Sequence, residues 1–440
     1  MASFDVEGAL KVMRSAREKA LDYADVAQVR WMGWSYVLEG FSLRELSSSD
    51  FLSIIRMYKN GLWRISFGRH PTFEDLLRSR SKFEKTFSIG VNRGFSQVSP
   101  IRAEYSIGDV VKLPEKDVRN FFESLMETFD RELGDLGVKL SATLRHDVRS
   151  KFFANIDGSV VLENKGLISL QVSMESGRFS VDEYIAFTNF DLLKSRLKEL
   201  ASRLVTRLRS LINARMFNPI YRGSKYPVIL DPKASGVVLG SFIKALSRIG
   251  IFKRSLLGAR IFSKGVTIVD DPSILWAAGA FLVDDEGSRA KPKRVVEDGY
   301  LVNILETRWS AGSSVEGGGG NARGLLYPPL PLYSNILVKP GDWKANEIVE
   351  ETKIGFLVNG LRSVKVLEEG AVELKPQVAF LVEKGEIRTP VIIDRIIIPL
   401  RSARSISAVG NQGEYTAFID EEEVVGAVSP YIKVEETVIS

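Results

Sequence analysis

Apolar positions along this chain recur with two periods, and the changes of period divide it into elements. Val6–Asp22 reads as an amphipathic helix, followed by strand-like stretches at Ala27–Met32 and Trp34–Leu38. Phe51–Lys59 and Leu62–Phe67 flank Asn60-Gly61, a dipeptide suited to the positive φ of a type I′ turn, so a hairpin is predicted there. Thr72 supplies an N-cap for a helix running to about Lys85. After Pro114, Val118, Phe121, Phe122, Leu125, Met126 and Phe129 repeat at three and four residues, which predicts a second helix with one buried stripe.

From Val138 to Phe187 the period shortens to two, with turns at Asp157-Gly158 and Ser176-Gly177, as in a run of antiparallel strands. Asp191 is placed to cap the next helix, where leucines from Leu192 to Leu211 and then Ile212 keep one face apolar for about six turns. Asn218-Pro219, Gly223 and Pro227 interrupt the pattern and mark a domain boundary. Beyond it come a strand at Val228–Leu230, a helix at Ser235–Arg248 with Val237, Val238, Phe242 and Leu246 inward, and mostly short strands. The fold class is α+β. Residues 1–218 form a mixed α/β domain with antiparallel strands ending in a long helix, and residues 219–440 form a β-rich domain. The length of 440 residues agrees, since single cores stop growing near ~250–300.

Composition removes several chemistries. With no Cys there is no disulfide, zinc ribbon, iron–sulfur cluster or thiol nucleophile. The two histidines are His70 and His146, so residues 147–440 contain no imidazole for a base or a metal. No apolar run reaches the ~18–20 residues of a spanning helix, and no charged-then-apolar leader opens the chain, so a soluble, cytoplasmic protein without membrane contact is expected. The net charge of +5 is unevenly spread: residues 201–260 hold 12 Lys/Arg against the single acid Asp231. No RNP, KH or helix-turn-helix signature accompanies that window, which reads as a solvated or protein-facing basic face rather than a nucleic-acid site.

Three motifs invite chemistry. Gly317–Gly320 fits a dinucleotide fingerprint only formally, because Pro328, Pro329 and Pro331 follow and no helix can open there. It reads as a mobile loop, or as one whose missing side chains admit a peptide backbone or partner, with Asn321 and Arg323 supplying polar contacts. As a mobile loop, it would tolerate Val at Gly318 and Gly319 with little change in thermal midpoint. Ser241 and Lys244 match S-x-x-K, but Ser79–Lys82 and Ser195–Lys198 match it equally. Acids cluster at Asp270-Asp271 and Asp284-Asp285-Glu286, which read as strand-end turns at the surface because Pro272 and Gly287 follow, or as places where close like charges raise one pKa.

The order of Asp270-Asp271-Pro272, Phe281-Leu282-Val283-Asp284-Asp285-Glu286-Gly287, Glu297-Asp298-Gly299, Gly320-Asn321-Ala322-Arg323, Asn335-Ile336, Gly355-Phe356-Leu357-Val358, Glu383-Lys384-Gly385-Glu386-Ile387 and Val409-Gly410-Asn411 resembles the TldD/PmbA family of gyrase modulators. The family resemblance implies a peptidase assembly in which a TldD-type subunit carries zinc on a helical H-E-x-x-x-H motif and a PmbA-type (TldE) subunit lacks it. Here Gly240, Ser241 and Ala245 stand where His, Glu and His would be, so the chain is similar to the PmbA/TldE half. No zinc or other cofactor is expected on this chain; zinc is expected only on a partner subunit. Val372–Phe380 also departs from the family by lacking a T-G-D-F-S-like run.

The leading reading is a non-catalytic subunit that pairs with a TldD-like metallopeptidase and helps admit peptide substrates for proteolysis or maturation. Its substrate- or partner-binding residues are expected to be Asp284, Asp285, Glu286, Gly318, Gly319, Gly320, Asn321 and Arg323. The loop Ser313–Arg323 is then expected at the rim of the family's active-site cavity, with Arg323 partnering one of those acids or a peptide carboxylate. The alternatives are a homodimeric interaction protein acting on gyrase-like or nucleic-acid targets, and an enzyme in its own right using carboxylate-bound metal or the Ser241/Lys244 pair.

Overall fold

Period-two alternation builds one long sheet from the first half of the chain. A computed structural model describes residues 4–40, 42–88, 94–133, 137–217, 223, 225–248, 251–367 and 370–439. Strands β1 (Tyr23–Glu39), β2 (Ser42–Lys59), β3 (Leu62–Gly68), β4 (Phe83–Ser88), β5 (Arg102–Ile107), β6 (Lys139–Asn155), β7 (Val160–Ser176) and β8 (Phe179–Phe187) form it in the order β4-β3-β2-β1-β6-β7. β5 runs parallel to the first part of β7, and β8 lies antiparallel to the rest of the same edge. The expected hairpin is β2–β3, with Asn60 at φ 50° and Gly61 at φ 84°. The two stretches expected at 27–38 are one strand, since Gly33 keeps its place in both ladders of β1.

One face of this sheet carries helices α1 (Val6–Glu18), α2 (Phe73–Arg78), α3 (Glu115–Leu133), α4 (Phe190–Ser195) and α5 (Leu197–Ile212). The stripe on α3 is buried as its spacing requires. Two helix expectations need correction. α2 stops at Arg78 instead of reaching Lys85, because Phe83–Ser88 pairs with β3. The long helix from Asp191 is broken at Arg196, where Ser195 Oγ donates to the Leu192 carbonyl at 2.7 Å and competes with the helical ladder. Asn189, not Asp191, caps α4.

Among the described residues the second half forms two further large sheets and a two-stranded one, Ala322–Arg323 with Leu330–Pro331. In one large sheet, pairing of Ile354–Val366 with Val372–Glu383 closes five strands, these two with Lys225–Leu230, Ile432–Ile439 and Ile396–Ile398, into a ring. The other large sheet runs through Ile268–Asp270, Asn335–Val338, Glu423–Ser429 and Glu414–Asp420. Helix α6 (Pro232–Arg248) lies between the two sheets, starting at Pro232 because Asp231 caps it through the Ala234 N–H at 2.8 Å. Val237, Val238, Phe242 and Leu246 are all buried in the largest apolar core. The boundary expected at Asn218-Pro219 lies outside the described residues.

Candidate functional site

The second face of the first sheet places the acidic turn. Alternation on β6 sets Arg145, Asp147, Arg149 and Lys151 on one side, and cross-strand register puts Lys151 opposite Glu163 and Asp25 opposite Arg56. Arg145 at one end of this row is exposed, but the Arg149–Lys151 end is withdrawn from solvent. Residues 278–287 and 324–326 of the second half cover it: the Lys165 ammonium donates to the carbonyls of Ala278 and Ala280 at 2.7 and 2.8 Å, and Arg56 donates to the carbonyls of Gly324 (2.6 Å) and Asp285. Arg56 also holds Asp25 through two bonds of 2.8 and 2.7 Å, with both side chains fully buried.

Asp284, Asp285 and Glu286 are brought together in this contact at no more than 1% exposure each, buried rather than in a turn at the surface. Asp285 accepts Lys151 Nζ and the Gly324 N–H, both at 3.0 Å. Burial opposes its charge, but Lys151, Arg323 and Arg149 outweigh it and hold Asp285 well below the usual carboxylate range. Burial also pushes Asp284 up, yet its two oxygens accept four backbone N–H groups, from Glu286, Ser288, Gly320 and Ala322, a donor set that fits the ionised form. Glu286 carries the proton of the pair. Burial first, and Asp284 second, raise it to about 8, and its Oε1 has no hydrogen-bond partner among the described residues.

The Gly-rich loop is bolted to that turn. Lys293 donates to the Gly319 carbonyl and to Asn321 Oδ1, and Asn321 Nδ2 donates to Asp270 at 2.7 Å. Gly319 (φ 123°) and Gly320 (φ 89°) sit in backbone conformations that other residues rarely adopt, and a Cβ at Gly318 would lie 2.6 Å from that of Ala311. Arg323, expected to partner one of the three acids, donates instead to Glu423 at 2.5 Å and lies over the Phe281 ring at 4.4 Å; it reaches Asp285 only through its field.

A separate cavity of about 510 Å³ opens beside α6, lined by Ser241, Lys244, Tyr333 and the edge residues Leu361–Val366. It shares no lining residue with the cavity beside the Gly-rich loop, which residues 315–320 line, with Gly320 against Asp284. Lys244 pairs with Asp420 and lies 3.6 Å from Glu421, while the Tyr333 hydroxyl donates to the other Asp420 oxygen at 2.6 Å. No hydrogen bond joins Ser241 to Lys244 among the described residues.

Residues 223–440 match the family model described as the PmbA/TldA metallopeptidase C-terminal domain. The chain belongs to the TldD/PmbA family. Among its relatives, a metalloprotease of Methanocaldococcus jannaschii is 28% identical over 84% of this chain and 86% of its own length. A TldD homolog of Haemophilus influenzae is 23% identical over 78% and 76%. In fold, the chain matches the solved TldE of Thermococcus kodakarensis with a TM-score of 0.72 at 17% identity, covering 98% of this chain and 100% of that one.

The zinc that the TldD/PmbA resemblance implies for a helical H-E-x-x-x-H does not fit α6 here. Gly240 is packed under the Tyr333 ring, where an added Cβ would lie 2.8 Å from Cζ, and neither Gly240 nor Ala245 has a side-chain atom that could ligate a metal. The charge that α6 itself places beside Ala245 is the cation Lys244, which pairs with Asp420. Among the described residues no group of three His, Cys, Asp or Glu is placed to hold a metal. What sequence reading missed are the basic partners, Arg56, Lys151 and Arg308, the last giving its N–H to Glu286 at 2.5 Å and its guanidinium to Asp157 at 2.6 Å. A signal existed at Arg56, a charge inside the apolar run Ile54-Ile55-Arg56-Met57-Tyr58.

Proposed function

We propose that this chain is a PmbA/TldE-like, metal-free subunit that pairs with a TldD-type metallopeptidase and helps admit and position peptides for proteolysis or maturation. The observation that carries the reading is α6. Its cavity persists at a size that admits an extended peptide, while Tyr333 over Gly240 and the Lys244–Asp420 pair leave no metal-binding face. The metalloprotease names of the relatives, and the fold shared with a TldE, support the same role. Zinc then resides on the partner, in a cytoplasmic assembly; among the described residues no helix is long and apolar enough to cross a membrane.

The alternative of a homodimer acting on gyrase-like or nucleic-acid targets drew on the basic stretch 201–260, whose charges are largely spent internally. Arg207 is buried against Glu183, and Arg203, Lys225, Lys233, Lys244, Arg248 and Arg254 each pair with a carboxylate. Co-expression with a TldD-like chain from the same cell tests the proposal. Stable co-purification, with peptide cleavage by the pair and none by this chain alone with added zinc, is expected. A TldD-like chain that neither binds it nor gains activity from it would overturn the reading.

A further inference from the structure

On the far side of the Gly-rich loop lies an open cavity of about 830 Å³, lined by residues 97–102, Ser288, Arg289, Lys291, Lys293 and residues 315–320. Its lining includes Arg102, Arg254, Arg289, Lys291 and Lys293 against two carboxylates, Glu306 and Glu316. Two of these cations are committed, Arg254 to Glu306 at 2.5 Å and Lys293 to Gly319 and Asn321. Arg102, Arg289 and Lys291 are exposed and form no ion pair among the described residues.

The loop adds neutral donors. The N–H groups of Gly318 and Gly319 donate to no acceptor among the described residues. Ser288 Oγ, on a side chain with 3% exposure, has no partner either. A Cβ at Gly319 would lie 3.0 Å from that oxygen, so glycine keeps the peptide and the hydroxyl close together. Surplus cations, free peptide N–H groups and a free hydroxyl together lack one thing, a set of acceptor oxygens carrying negative charge.

We propose that this cavity binds the carboxylates of an acidic peptide segment. The oxyanion chemistry is common to carboxylate and phosphate. Size and lining favour the peptide: the space far exceeds one phosphate, and Val98, Pro100, Ile101 and Val315 give it apolar wall beside the charge. The identity of the ligand as peptide rests on the reading of this chain as a peptide-handling subunit.

The test uses the full chain alone and a short labelled peptide of alternating Glu and Val, with binding read by fluorescence anisotropy at low salt. The Glu peptide is expected to bind about tenfold or more tighter than its Gln counterpart, and Arg289→Gln with Lys291→Gln to remove about tenfold of that affinity. Lys19→Gln with Arg80→Gln, exposed cations outside the cavity, should leave it unchanged. Equal binding of the two peptides, indifference to the Arg289/Lys291 change, or equal loss in the control would overturn the proposal. So would inorganic phosphate binding as tightly as the Glu peptide, which would make the cavity a phosphate site. No zinc peptidase enters this assay, so its failure leaves the pairing reading standing, and failure to pair leaves this site standing.

Discussion

The Asp284 carboxylate accepts the Gly320 N–H at 2.8 Å, which makes the acidic turn and the Gly-rich loop one buried assembly. Asp284 satisfies three other peptide N–H groups as well. Asp284→Ala would leave all four donors buried without an acceptor, a cost of about 3–5 kcal/mol. Urea unfolding should show that loss, and amide exchange should quicken at Gly320 and Ala322. A change under about 1 kcal/mol would mean that the carboxylate does not hold the loop.

Gly319→Val is expected to lower the thermal midpoint, contrary to the expectation for a mobile loop. Its φ is 123°, and its Cβ would lie 3.0 Å from Ser288 Oγ and 3.1 Å from Arg308 Cγ. A cost of about 2 kcal/mol or more follows from strain plus crowding. Gly317→Ala is the comparison: φ is 68° but nothing lies within 4 Å, so only the left-handed penalty of about 1–2 kcal/mol applies. Equal midpoints for the Val variant and wild type would refute the packing argument.

Arg56 and Asp25 form a fully buried pair, and removing one member strands the other. Arg56→Ala should cost about 3–5 kcal/mol, while Asp25→Leu with Arg56→Met recovers part of that loss. Calorimetry on the three proteins decides it; a double variant no better than Arg56→Ala would show that the carbonyls of Gly324 and Asp285, not Asp25, are what Arg56 serves.

Two buried groups give stability a pH dependence of opposite sign. Glu286, raised to about 8 by burial and then by Asp284, keeps a proton that the unfolded chain releases near 4.5. Its contribution is complete below the unfolded value and is lost as pH climbs through the folded one. Lys165, lowered to about 7 by burial first and then by Arg323 and Arg149, contributes fully above 10.5 and loses that contribution as pH falls to about 7. The stability of wild type relative to Glu286→Gln should therefore fall between about pH 5 and 8, and relative to Lys165→Met should rise between about pH 7 and 10. Flat differences in those windows would refute the assignments.

Gly240→His should destabilise the chain without creating a metal site. The new side chain meets the Tyr333 ring, whose Cζ lies 2.8 Å from the added Cβ, an overpacking cost of about 1–3 kcal/mol. Zinc bound stoichiometrically by the Gly240→His, Ala245→His double variant would show that the helix retains a metal-binding face.

Local pattern carried far in the fold. The α3 stripe, the hairpin at Asn60-Gly61 and the inward set of α6 follow from nearest-neighbour chemistry, and they stand where the spacing puts them. Expectations failed where a distant strand or a side chain competing for a carbonyl intervened, at Phe83–Ser88 and at Ser195. For the candidate site, the acids and glycines were legible as clusters, but not their partners. Arg56 and Lys151 come from strands over a hundred residues away in sequence.

By itself the sequence determined which residues share a face and which chemistries are absent. Alternation at Arg145, Asp147, Arg149 and Lys151 makes one side of β6 charged in any fold that keeps the strand, and Gly240 and Ala245 lack side-chain ligand atoms in any conformation. Tertiary structure alone decided that much of the charged side is inside. Period two encodes the direction of a side chain and says nothing of what covers it. The cover, residues 278–287 and 324–326, arrives through contacts that only the packed second half can make, and it turns that part of the charged face into a set of buried ion pairs.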